Sequence, residues 1–399
     1  MNHIALLIPG LERIGGAERQ VLLLAHGLHR RGWRVTMVAL TGSAGPGGVE
    51  MEAEGVGFVS LAMRKGVADP RGWIRLDAWI RRERPDLLHA HLPHATWMAR
   101  WLRLLHPRLA VVDTLHSTCT GSIARRLGYR ASNWLAGQVT AVSVAVAEVY
   151  AEAGLVDPAK LSVLPNGVDT EALRPSRDLR LAMRRELGIS DEFLWVAVGR
   201  LMAVKDYPTL LRAMQLLPDD AKLVVAGDGP LAGELRALAA RLGLDGRVRF
   251  LGFVPDVGQL LQAADAAVQT SRWEGMPLTL LEAGALALPS VVTDVPGLSQ
   301  MVLSGETGLL APVGDPAALA AVMLRLMRMP ATERRSMGER ARLSIERNYS
   351  LEAVLDRWEN LYARCCAQLC GKAGPAASSP RFLVESSPQI HHPSQRVQP

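Results

Sequence analysis

Glu274 and Glu282, two carboxylates with seven residues between them, mark the stretch of this 399-residue chain best suited to chemistry. A short apolar run at 266–270 reads as a buried strand and leads into a loop holding Glu274 and Gly275. Pro277 stands where a first helical residue would be, since its missing N–H is an orphan there anyway. An apolar helical pattern follows, and Pro289 ends it before a second strand-like run at 290–293. One carboxylate therefore sits in a loop at a helix N-terminus, and the other lies about one turn into the helix. Free N–H groups and the positive dipole end make such a terminus a natural phosphate site. Ionised carboxylates beside it accept strong hydrogen bonds from hydroxyls. A phosphate with hydroxyls on either side describes a sugar nucleotide; a capped helix with two solvated glutamates is the plainer alternative.

Basic and imidazole groups fall at other strand tips. The run 193–198 ends in Gly199-Arg200-Leu201-Met202-Ala203-Val204-Lys205-Asp206. A planar arginine fork and a mobile lysine charge can together bind a diphosphate. The first run, 4–8, leads into Gly15 and Gly16 at the start of an amphipathic helix, 17–31. Glycines there permit close backbone approach of a ligand, or serve turn geometry alone. The pattern is neither G-x-G-x-x-G nor a P-loop, which disfavours a dinucleotide oxidoreductase. His89 and His91 end the run 87–90 with His94 nearby, and His116 follows the run 110–114. An H-x-H-x-x-H cluster has metal-ligand chemistry, but no carboxylate stands beside it in sequence.

The elements that must position these residues alternate along the chain. Strand-like runs at 4–8, 35–40, 87–90, 110–114 and 139–142 interleave with helical patterns at 17–31, 70–84, 95–105 and 123–136. A second series places strands at 193–198, 222–226, 248–252, 266–270 and 290–293, with helices at 178–187, 231–242, 316–329 and 351–370. This rhythm implies an α/β fold of parallel sheets covered by helices, with ligands at the C-terminal ends of the strands. The length implies two domains.

Composition narrows the partners. No run of 18 apolar residues occurs, so no transmembrane helix is expected. Residues 1–10 lack a basic start and a long apolar stretch, and read as a strand. Cys119, Cys365, Cys366 and Cys370 match neither a disulfide framework nor a zinc site, which favours a reducing cytoplasm. The net charge of +6 falls entirely within residues 1–165, where Arg-rich stretches at 71–84, 100–108 and 125–130 are interspersed with Trp and Leu. That suits an anionic membrane surface or a phosphate-bearing acceptor, and equally an ordinary solvated face. Nucleic acid is not expected, because no recognition motif accompanies the charge. From 371 onward the chain is rich in Pro, Ser and Gln and reads as a disordered tail.

The stretch 271–290 resembles the E-x7-E signature of glycosyltransferase family 4, the retaining, bacterial group 1 glycosyltransferases of GT-B architecture. Gly15-Gly16-Ala17-Glu18, Thr114-Leu115-His116-Ser117, Ala141-Val142-Ser143, Asn166-Gly167-Val168-Asp169, the Gly199–Lys205 segment and Asp294-Val295-Pro296-Gly297 are similar to further family segments in the same order. Asp206 stands where many relatives have Gly. The resemblance covers roughly residues 3–365. It implies two Rossmann-like domains facing a cleft: 1–165 for the acceptor and 166–350 for the donor. Residues 351–370 would pack back on the first domain, and 371–399 would be the tail. It implies a nucleotide-diphosphate sugar donor, most commonly UDP-linked, held by Gly15, Gly16, Arg200, Lys205, Val254, Glu274, Gly275, Met276, Pro277, Leu278 and Glu282. In this reading Glu274 holds sugar hydroxyls, Glu282 the ribose diol, and the backbone at Val254 the base. His116 orients the transferred sugar or acceptor, and His91 lies on the acceptor side. Neither metal nor cofactor is implied, and the chain contains no Asp-x-Asp. The acceptor would be a glycan or polyprenyl-linked glycan, in cell-surface polysaccharide synthesis such as lipopolysaccharide, O-antigen or exopolysaccharide. The enzyme would be cytoplasmic or peripheral on the inner membrane face. A nucleotide-sugar 2-epimerase-like isomerase shares the layout and is the alternative.

Overall fold

The computed structural model describes residues 3–12, 14–43, 45–64 and 69–369. The expected tail and Cys370 lie outside the described residues. Two parallel sheets organise the chain. The first contains β1 (His3–Ile8), β2 (Arg34–Ala39), β3 (Gly57–Ser60), β4 (Leu87–His91), β5 (Ala110–Leu115), β6 (Gln138–Ala141) and β7 (Leu161–Val163). Its spatial order is β3-β2-β1-β4-β5-β6-β7. The second holds β8 (Phe193–Val198), β9 (Ala221–Ala226), β10 (Val248–Gly252), β11 (Ala266–Gln269), β12 (Ser290–Thr293) and β13 (Gly308–Ala311), in the order β10-β9-β8-β11-β12-β13.

Apolar runs without alternation produce these sheets because helices cover both faces. All six residues of β1 are buried, as are all five of β4. In each sheet the chain order reverses once, between β1 and β4 and between β8 and β11. The crevice outside such a switch point is where an open α/β sheet takes its ligand. The segments carrying Gly15, Arg200, Lys205 and Glu274 follow β1, β8 and β11, His91 is the last residue of β4, and His116 follows β5.

The last helix, Leu351–Leu369, lies in the core of the first sheet although it is remote in sequence. Val354, Leu355, Trp358 and Tyr362 pack with Ile4, Leu6, Val21 and Leu28. A Cβ on Gly27 would lie 2.5 Å from Leu355 Cδ1, so a side chain there would force Leu355 out of its present place. Arg31 fixes the same helix from outside through Glu352, Asp356 and Glu359.

Several elements escape the sequence pattern. Helix Ala331–Tyr349 is charged on most sides, yet it buries Met337, Gly338, Ala341 and Ile345 in one stripe. That stripe packs on helix Leu278–Ala285, and Ile345 Cγ1 lies 2.6 Å from where a Cβ on Gly284 would stand. Strands β3 and β13 lie at the edges of their sheets and open on glycine, a residue depleted in strands, so their short runs do not stand out. Pro277 is the cap preceding helix Leu278–Ala285, with ψ 127°, rather than its first residue. Among the described residues no helix is long and apolar enough to cross a membrane. Cys119 and Cys365 are free thiols.

Candidate functional site

Glu274 is held by groups from two neighbouring segments. Its Oε1 accepts from Lys205 Nζ at 2.5 Å, Ser271 Oγ at 2.6 Å and Gln269 Nε2 at 2.9 Å. The two loops that meet here are stitched by backbone contacts. Thr270 Oγ1 donates to Lys205 O at 2.9 Å, Arg272 N to Val204 O at 2.8 Å, and Thr293 Oγ1 to Ser271 O at 2.5 Å. The Lys205 loop closes through Asp206, whose backbone is left-handed at φ 48°. Asp tolerates that region better than most residues. Its carboxylate also accepts from Thr209 Oγ1 and Arg272 Nε. The substitution of Asp for Gly thus has a local rationale. Gln269 and Ser271 were not singled out in the sequence; their strand-end positions, beside the loop glutamate, were the available signal.

Glu282, one turn into helix Leu278–Ala285, is 3% exposed. Burial raises its pKa; Arg19 opposes that shift and Asp256 adds to it. Arg19 belongs to the first helix, Gly16–Arg30, so its contact with Glu282 at 3.1 Å joins the two sheets' domains. Oε2 of Glu282 is buried without a partner among the described residues.

The loops after β5 and β11 touch. A Cβ on Gly275 would lie 2.5 Å from His116 O, and one on Gly297 would lie 2.3 Å from Glu274 O. Backbone approaches this tight explain both glycines. Asn166, in the crossover between domains, donates through Nδ2 to Met276 O at 2.8 Å. Met276 and Leu278 are buried in a cluster that also includes Leu115, Val139 and Val142 of the first domain. They act as interface packing that aims the loop. Val254 sits past the edge strand β10 with its side chain against the second core, and Arg200 is exposed beyond β8.

At the start of the first helix, the Gly15 amide donates to Glu18 Oε2 at 3.0 Å. That bond occupies the donor expected to face a ligand. The Gly16 and Ala17 amides remain as first-turn donors without an intrahelical acceptor.

The histidines separate into two roles. Both nitrogens of His89 are engaged, Nδ1 with Tyr362 Oη at 2.8 Å and Nε2 with Thr114 Oγ1 at 2.6 Å. His94 turns away onto Trp97. The sequence cluster is therefore not a ligand set. His91 Nδ1 lies 3.1 Å from His116 Nε2, and the two nitrogens share one hydrogen. The tautomer of His91 thereby sets which His116 nitrogen carries its proton. Burial lowers His89 and His91 well below the usual histidine range and pushes His116 down to about 4. All three are neutral at pH 7, although His116 keeps part of its surface at the cleft.

Two Rossmann-like domains whose strand tips meet around a Lys–Glu pair and a buried carboxylate at a helix start define a glycosyltransferase of GT-B architecture. Residues 14–172 match glycosyltransferase family 4, and residues 180–344 match the glycosyl transferases group 1. The chain is 31% identical over 296 residues to the N-acetyl-alpha-D-glucosaminyl L-malate synthase of Bacillus anthracis, covering 71% of this chain and 75% of that one. It is 27% identical over 311 residues to a UDP-Gal:alpha-D-GlcNAc-diphosphoundecaprenol alpha-1,3-galactosyltransferase of Escherichia coli, covering 74% and 80%. The crystal structure of Anabaena Alr3699/HepE in complex with UDP and glucose has the same fold, with a TM-score of 0.81 and 20% identity. The match covers 91% of this chain and all of the other. The chain belongs to glycosyltransferase family 4.

Proposed function

We propose that this glycosyltransferase moves a sugar, with retention at the anomeric carbon, from a UDP-sugar to a glycan or polyprenyl-linked glycan. The observation that carries the reading is Glu274 and Glu282 flanking one helix start, with Lys205 on Glu274 at 2.5 Å. Glu274 Oε1 is already occupied by protein donors, so Oε2 faces the sugar hydroxyls. Lys205, Arg200 and the helix-start amides meet the charge that grows on the leaving diphosphate, without metal. Fixed donors of this kind need no reorganisation during reaction. The acceptor hydroxyl attacks the face the diphosphate leaves, and the departing phosphate takes its proton. His116, being neutral, orients hydroxyls by hydrogen bonding and supplies no charge.

A lipid-linked acceptor is supported by the name of the Escherichia coli relative and by one surface of the first domain. Trp101, Leu104, Leu105, Ile123, Leu127 and Trp134 are exposed there among Arg108, Arg126 and Arg130. Aromatic and aliphatic groups interleaved with arginines suit the anionic inner face of a membrane.

Thermal unfolding with a panel of nucleoside diphosphates and their sugars, without added metal, tests the donor reading. A ligand of the native state raises the melting temperature by mass action. The expected result is a shift with UDP or a UDP-sugar that is lost in Lys205→Ala and Glu282→Ala. No shift with any nucleotide would overturn the donor site.

A further inference from the structure

We infer that Arg19, from the acceptor-side domain, is a positioning residue of the donor site: it fixes the Glu282 carboxylate so that its second oxygen receives the nucleotide ribose. The inference rests on the proposed role of Glu282 as the ribose carboxylate.

Geometry carries the argument. Glu282 is almost wholly inside the protein, and among the described residues only one of its two oxygens has a protein partner, Arg19 Nη2 at 3.1 Å. The other, Oε2, is buried without a partner among the described residues. A carboxylate left half-satisfied in the interior carries a desolvation cost, which a hydroxyl donor arriving at Oε2 removes. Arg19 must come from outside the second domain. The elements that pack on helix Leu278–Ala285 from within that domain bring Asp256, which repels a second negative charge, and Arg342. Arg342 is spent on Glu346 and on the carbonyls of Leu173, Thr170 and Ala285. β12, also adjacent, contributes no ionisable side chain.

The source of Arg19 matters as much as its charge. It lies three residues after Gly16, on the helix whose free first-turn amides open the chain segment after β1. Gln20, the next residue, is buried and accepts from the Gly167 amide at 3.2 Å in the interdomain crossover. One helix thus carries the first-turn amides assigned above to the diphosphate, the guanidinium on Glu282 and a contact to the crossover. Arg19 places the ribose carboxylate in register with that helix start, so the donor is gripped only when both domains are together. Burial acting alone would favour the protonated carboxyl of Glu282, and the cation opposes it. An ionised Glu282 accepts from two hydroxyls, whereas a protonated one has a hydrogen to give away.

The test is a double-mutant cycle on the full-length protein, read by calorimetric titration with UDP. Arg19→Gln, Arg19→Lys, Glu282→Gln and Arg19→Gln/Glu282→Gln are compared, with melting temperatures confirming that each folds. Arg19→Gln is expected to weaken UDP about tenfold or more, the loss of one charge-assisted contact. Arg19→Lys recovers part of the loss, and the double variant is no weaker than Glu282→Gln alone, because the two residues act as one unit. Wild-type affinity in Arg19→Gln, or losses that simply add in the double variant, would overturn the inference while Glu282→Gln still weakens binding. Undiminished UDP binding in Glu282→Gln would instead overturn the ribose reading on which it rests.

Discussion

Replacing Glu274 by Gln separates the charge of this residue from its shape. In the structure Oε1 collects three donors, at 2.5, 2.6 and 2.9 Å, while the side chains of Lys205 and Glu274 are only 17% and 14% exposed. An amide oxygen at the same place still accepts from Ser271 and Gln269, so the loop should keep its course. Two things are lost: the negative charge opposite Lys205, and the second acceptor, which becomes an N–H2 donor. One charge-assisted hydrogen bond to a sugar hydroxyl is worth about 1.5–3 kcal/mol, so turnover should fall roughly tenfold to a hundredfold. Breaking a partly buried pair while leaving Lys205 in place should destabilise the fold by about 1–3 kcal/mol. Lys205, freed of its partner, remains available to a diphosphate, so UDP affinity should be retained or improved. The assay is UDP release from the donor identified by thermal shift, beside calorimetric titration of UDP and urea unfolding. Turnover near the wild-type rate, with UDP still binding, would refute a role for the Glu274 charge in handling the sugar.

Gly275→Ala sets a methyl against His116 O, 2.5 Å from its ideal position, and should separate the two loops; activity should fall while the urea midpoint moves little. Stability should drop as pH falls from about 6.5 toward 4. Unfolded histidines take up protons there, while His89, His91 and His116, all lowered by burial, do not. Each such group contributes up to about 1.4 kcal/mol per pH unit, so His116→Gln should flatten the slope of urea stability against pH. An unchanged slope would show that His116 titrates normally. Trp101→Ala/Trp134→Ala with Arg126→Glu should abolish flotation with anionic vesicles without lowering the melting temperature; undiminished flotation would remove this face as the membrane contact.

The position of the candidate site at the ends of the strands was legible because strand tips announce themselves. Apolar runs end at Gly199, Thr270 and Thr114, and the polar residues just past them fall at the cleft. Pairings across the domains were not legible. Nothing local to Arg19 points to Glu282, since the contact depends on how two separately formed sheets meet. Gly15 illustrates the same limit at short range: Glu18, three residues on, turns back to take its amide, a capping choice that a glycine pattern does not disclose. His89 looked like part of a strand-end cluster, yet its partners are Thr114 and Tyr362, the latter from the far end of the chain. Helix Ala331–Tyr349 was hidden because its buried stripe is narrow and built partly from Gly and Ala.

The seat of helix Leu351–Leu369 in the first core has a consequence for biosynthesis. Trp358 and Tyr362 complete the packing around Ile4 and Leu6, yet they leave the ribosome only after the whole second sheet has been made. At about 5–20 residues per second, the first domain waits on the order of 10–40 s with an apolar face open. The second domain is finished first. Nascent chains arrested before residue 351 should therefore bind UDP poorly and recruit chaperones through the unfinished first domain, and release of the full chain should close it.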